Sequence, residues 1–140
     1  MQKVILDTNV LVSALIQRSY PYLILMELFL ENEIELCVSK DMMTEYFEVL
    51  NRKKFARYPD FKIKADSILA HIANSATFFS PKKKLKIIDD DADNKLLELA
   101  HECKADFIVT GNTNDFTFPK YKKTRIVSPR EFWELFRPSE

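Results

Sequence analysis

Three acidic residues hold the chemistry this sequence offers: Asp7 after the apolar run Val4-Ile5-Leu6, Glu45 within Thr44-Glu45-Tyr46, and Asp93 within Ala92-Asp93-Asn94. Lys3 to Leu6 reads as a buried strand, so Asp7 stands at its carboxyl end. Glu45 follows Met42 by three residues and precedes Val49 by four, which puts it at the border of a helix's apolar face. Asp93 precedes Leu96 and Leu97 by three and four residues, on the inward side of a helix's first turn. Asp7 capping a turn and Glu45 on a helix surface are the ordinary structural alternatives. Carboxylates drawn toward a core need compensation, and one bound cation would compensate all three. Oxygen ligands of this kind suit Mg²⁺ or Mn²⁺, completed by water and by substrate phosphate oxygens. The chemistry of such a site is activation of water for in-line attack on phosphorus, with the departing oxygen's charge neutralised. Zinc is disfavoured, because His71, His101, Cys37 and Cys103 have no zinc-ligand spacing. The more conspicuous run Asp89-Asp90-Asp91 reads as capping and solvation of a helix start.

The elements that must bring these residues together follow from periodicity. After the first strand and a sharp change of direction at Asp7-Thr8-Asn9, Pro21 to Glu31 is apolar on nearly all sides, as a helix covered by the core and by a partner would be. Glu35 to Val38 reads as a second strand, and Ser39 or Asp41 caps a helix from Met42 to about Arg52. Phe61, Ala65, Ile68, Leu69 and Ile72 recur at helical spacing, and Thr77 to Phe79 reads as a short edge strand. The acidic run at 89–93 opens a helix carrying Leu96, Leu97, Ala100 and Cys103. Phe107 to Thr110 is a strand ending at Gly111-Asn112, Thr124 to Val127 is the last strand, and Pro129 starts a closing helix through Phe136. Alternating strands and helices predict a three-layer α/β/α sandwich with a central, mostly parallel sheet. Ligands bind such sheets at the carboxyl ends of the strands, where Asp7 and Asn112 both fall.

Composition sets the bounds. A chain of 140 residues is expected to form one domain, residues 1–140, and 46% hydrophobic with 30% charged residues is ordinary for a globular protein. Basic and acidic residues balance at 21 each, so bulk charge does not select nucleic acid as a partner. Local clusters do offer phosphate contacts: Arg52-Lys53-Lys54, Lys82-Lys83-Lys84 with Lys86, and Lys120, Lys122, Lys123 with Arg125. Solvated surface charge is the plain alternative for each. The start of the chain is too short in apolar residues for a signal peptide, and Tyr20 to Leu30, broken by Glu27, is too short to span a bilayer. A soluble cytoplasmic protein with two reduced thiols, Cys37 and Cys103, is the expectation.

The order Val4-Ile5-Leu6-Asp7-Thr8-Asn9-Val10-Leu11, then Thr44-Glu45-Tyr46, then Asp93-Asn94-Lys95-Leu96-Leu97, then Val109-Thr110-Gly111-Asn112 resembles the PIN domain. It is most similar to the prokaryotic PIN proteins that act as toxins of toxin-antitoxin pairs. The resemblance implies Mg²⁺- or Mn²⁺-dependent RNA cleavage, a cognate antitoxin partner and a homodimer. It makes Asp7, Glu45 and Asp93 metal ligands and adds Asn112 and Asp115 at a fourth corner of the catalytic site. Many family members have Asp where this chain has Asn112, which supplies no charge. Two other readings compete. A phosphatase using Asp7 as nucleophile would need Asp two residues later, where Asn9 stands. A PIN fold kept for RNA or protein binding with an impaired site is the other.

Overall fold

The computed structural model describes residues 1–116 and 118–136. Strand β1 (Gln2–Leu6) leads directly into helix α1 (Thr8–Ile16), for which Asp7 is the extended residue at the cap position. The β-rich string Thr8-Asn9-Val10-Leu11-Val12 gave no helical signal, yet it forms α1 because Val10, Leu11, Ala14 and Leu15 share one buried face. Helix α2 (Tyr20–Leu23) runs into a π-helical turn, Ile24–Phe29. The all-apolar stretch expected as a helix is therefore helical but underwound. Ile24, Leu25, Leu28 and Phe29 enter the core, while Leu23, Met26 and Leu30 stay partly accessible.

Strand β2 (Ile34–Ser39) ends on Ser39, whose hydroxyl accepts the Met42 N–H at 3.1 Å and starts α3 (Lys40–Leu50). A 3₁₀ turn, Lys53–Phe55, precedes α4 (Phe61–Ser75), where all five apolar residues expected to face inward are buried. Then come β3 (Thr77–Phe79), α5 (Asp91–Cys103) and β4 (Phe107–Val109). The short β5 (Lys120–Tyr121) pairs antiparallel with β6 (Thr124–Val127), and α6 (Pro129–Phe136) closes the described chain. Two residues leave no periodicity to read, so β5 has no signature in the sequence.

The sheet order is β3-β2-β1-β4-β6-β5, and every pairing except β5 with β6 is parallel. This is the expected sandwich: α5 lies against β1, β2, β3 and β4, while α1 packs with α3 and α4. Central strands buried on both faces explain why Val4, Ile5, Leu6, Ile108 and Val109 are all fully inaccessible. The chain winds outward from β1 through β2 to β3, then returns to β4 on β1's other side. The gap between the ends of β1 and β4 is thus the topological switch point, where open sheets hold their ligands.

Among the described residues, four that are not glycine adopt left-handed backbone: Asn32, Asp60, Lys104 and Lys122. The chain's one glycine, Gly111, does not, and a Cβ there would come no nearer than 3.6 Å to the side chain of Asn9.

Candidate active site at the carboxyl end of the sheet

Strand pairing places Asp7 at the switch point. Its backbone N–H donates to the Val109 carbonyl at 2.9 Å, extending the β1–β4 ladder by one bond. The Thr110 hydroxyl donates to Asp7 Oδ2 at 2.7 Å and accepts the Asn112 N–H at 3.0 Å. Thr110 is fully buried, so its hydroxyl has little rotational choice and fixes the carboxylate it meets. The Gly111 N–H reaches Asn9 Oδ1 at 3.4 Å, which fastens the loop after β4 to the first turn of α1. One strand end holds the acid and the neighbouring strand end orients it.

Glu45 arrives from the second turn of α3, which Ser39 aims from the end of β2. The Thr8 hydroxyl donates to Glu45 Oε2, tying Glu45 to the residue next to Asp7. The following residue, Tyr46, is fully buried and donates its hydroxyl to the Leu6 carbonyl at 2.5 Å. Burial pushes the Tyr46 phenol well above the ordinary tyrosine range, and the nearby charges of Asp7 and Glu45 push it further. Tyr46 is therefore a protonated core strut between α3 and β1.

Asp93 lies on the buried side of the first turn of α5, 6% exposed. Because α5 returns from the β3 end of the sheet to the start of β4, its first turn sits at the carboxyl end with Asp7. Asp90 caps that turn, accepting from the N–H groups of Ala92 and Asp93 at 2.8 and 3.2 Å, and Asp89 and Asp91 are exposed. Asn94 pins the approach to α5: its Oδ1 accepts from Ile87 and Ile88, and its Nδ2 donates to the Ile88 carbonyl at 2.6 Å. Asn112 is exposed at the head of a 3₁₀ turn, Thr113–Asp115, and the side chain of Asp115 lies outside the described residues.

The structure thus joins Asp7 and Glu45 through neighbouring threonines and brings Asp93 and Asn112 to the same end. Among the described residues, no three His, Cys, Asp or Glu side chains are already gathered closely enough to hold a metal ion. The donor chemistry suits a hard cation: Asp7 and Glu45 present carboxylate oxygens steadied by hydroxyls. Sequence reasoning missed Thr8 and Thr110; it put Tyr46 on the inward face of its helix, where it is buried, but not its hydrogen bond to Leu6. The one signal that would have found Thr110 is its place between the strand Phe107–Val109 and the Gly111-Asn112 turn, opposite Asp7.

No helix among the described residues is long and apolar enough to cross a membrane. The chain is 29% identical to an uncharacterized protein of Methanocaldococcus jannaschii, across 96% of this chain and 91% of that relative. Residues 3–114 match the PIN domain, a family of nuclease type, over a span that includes Asp7, Glu45, Asp93 and Asn112. With the sheet order and the acids at its switch point, that match makes the chain a member of the PIN-domain family.

Proposed function

We propose that this protein is a metal-dependent endoribonuclease, a single PIN-like domain acting in the cytoplasm as the toxin of a toxin-antitoxin pair. The observation that carries the catalytic part is the Thr110–Asp7 hydrogen bond across the switch point, because it orients a carboxylate where a sheet of this topology takes its ligand. Asp7, Glu45 and Asp93 hold the ion. When bound, Mg²⁺ or Mn²⁺ supplies Lewis acidity, making water more acidic and offsetting charge on the phosphate and the departing oxygen. Thr110 and Thr8 keep Asp7 and Glu45 in one orientation, so their oxygens need not reorganise during the reaction. Asn112 contributes a carbonyl oxygen and two N–H donors and no charge, which suits positioning of a phosphate or a water. Water attacks phosphorus, the bond to the 3′-oxygen breaks, and the products carry a 5′-phosphate and a 3′-hydroxyl.

The test is cleavage of single-stranded RNA by the purified protein. It requires Mg²⁺ or Mn²⁺, stops in chelator and leaves 5′-phosphate ends; cutting that persists in chelator overturns the reading.

The neutral Asn112 also favours a second reading, a PIN fold that binds RNA or protein with an impaired site. Calorimetric titration with Mn²⁺ decides between them: no binding at millimolar concentration would leave only the binding module. For partners, Tyr22, Met26 and Leu30 face Ile63 across an apolar groove of about 910 Å³. That groove supports a protein partner, the antitoxin or a second copy of the chain. Light scattering of the purified protein, alone and co-expressed with the product of an adjacent small gene, tests both.

A further inference from the structure

We propose a second site at the opposite end of the sheet: a phosphate pocket built by His101, Lys104, Lys122 and Lys123 that holds a backbone phosphate of the RNA away from the cut. A cavity of about 170 Å³ lies where the end of α5 meets the β5–β6 turn, and these four side chains line it with Tyr121. Lys122 Nζ lies 3.3 Å from His101 Nδ1. A lysine ammonium only donates, so Nδ1 accepts and the ring's other nitrogen carries the proton. The pocket is then lined by donors.

Its charge is under-compensated. Asp106 pairs with Lys123 at 3.6 Å and also accepts the Lys3 N–H, whereas Lys104 and Lys122 have no ion pair among the described residues. Both of those lysines have left-handed backbone, φ 55° and 51°, at a helix end and a hairpin turn where glycine or asparagine is the unstrained choice. A cation at a helix C-terminus complements its dipole, which accounts for Lys104. It does not account for Lys122 and Lys123, which come from the hairpin to the same cavity.

The spacing suits one strand of RNA. At 1.5 Å per residue, the rise of α5 separates Asp93 from Lys104 by about 16 Å. At roughly 3.4 Å per nucleotide for a base-stacked strand that is about five nucleotides, and fewer for an extended one. The RNA source of the phosphate rests on the ribonuclease reading, so binding is measured in chelator, where cleavage is not involved.

The experiment titrates inorganic phosphate against the His101 ring signals by NMR, and measures single-stranded RNA binding against salt by fluorescence anisotropy. Phosphate, but not chloride, shifts the His101 signals. The affinity of the unsubstituted protein rises once the strand exceeds about five nucleotides. The Lys104→Gln/Lys122→Gln pair weakens binding and reduces the log–log salt slope by about 1.4, the value for two lost contacts on a single strand. Thermal melting checks that the pair folds, and Lys123→Gln alone, with half that change in slope, replaces it if it does not.

An unchanged slope overturns the proposal, and so does an equal loss in the exposed control pair Lys53→Gln/Lys54→Gln, which would mean diffuse charge. Shifted His101 signals with an unchanged RNA slope would overturn the RNA assignment in favour of free phosphate. The expected slopes in a protein that cuts nothing with metal would leave the pocket standing and remove the ribonuclease reading.

Discussion

The two ends of the sheet solve opposite electrostatic problems. At the carboxyl end, carboxylates are drawn inward and steadied by neutral hydroxyls: Thr110 on Asp7 and Thr8 on Glu45. At the amino end, lysines are held outward by strained backbone around a small cavity, with one aspartate in partial compensation. Helix α5 joins them, with Asp90, Asp91 and Asp93 at its start and Lys104 at its end, a charge order that matches its dipole. On the proposed reading, a chain with no net charge favours a polyanion by separating the pole that would take a cation from the pole that would take phosphate.

The comparison breaks most sharply at Asp7. Asp7→Asn keeps the shape but removes a ligand charge, and we expect metal-dependent cleavage to fall by about 10³-fold or more in a gel assay. A variant that cuts normally would move the chemistry elsewhere. Thr110→Val probes the steadying hydroxyl without changing side-chain size. Activity is expected to fall about 10- to 100-fold, the range for outer-shell partners of a metal ligand, with weaker Mn²⁺ binding by calorimetry. Full activity with normal Mn²⁺ affinity would show that Asp7 needs no orienting partner.

Smaller effects concern stability. Tyr46→Phe leaves the buried Leu6 carbonyl without its partner and should cost about 1–3 kcal/mol by urea denaturation. Because folding raises the Tyr46 pKa, the unfolded chain releases that proton first as pH climbs. Stability is therefore complete below the unfolded value of about 10 and declines above it. The phenylalanine variant should lack that decline. At the other pole, Lys104→Gly relieves a left-handed lysine at a helix end and should stabilise the fold by about 0.5–1 kcal/mol while weakening RNA binding. No gain in stability would mean that Lys104 rests there without strain.

Much of this arrangement is legible in the sequence because burial writes itself as periodicity. The inward faces of α4 and α5, and the strands containing Val4 and Ile108, are visible in the spacing of their apolar residues. Helix α1 is not, because β-branched residues at its start resemble a strand and only tertiary packing decides otherwise. Asp7, Glu45 and Asp93 stand out because charge is out of place beside a core. Thr8 and Thr110 do not, since a buried threonine with a satisfied hydroxyl looks like any strand or helix residue until the neighbour it meets is known. Asp115, reached through the family resemblance, has a side chain outside the described residues.

The lone glycine has a consequence away from either pole. Gly111 has no left-handed backbone and room for a methyl group, so the chain's one glycine stands where the backbone does not require it. A chain so poor in glycine has fewer conformations to surrender when it folds, and some of its stability resides in the restricted entropy of its denatured ensemble. Gly111→Ala extends that restriction by one residue. A gain of about 0.4–1 kcal/mol, invisible in any native contact, is the expected result in urea denaturation.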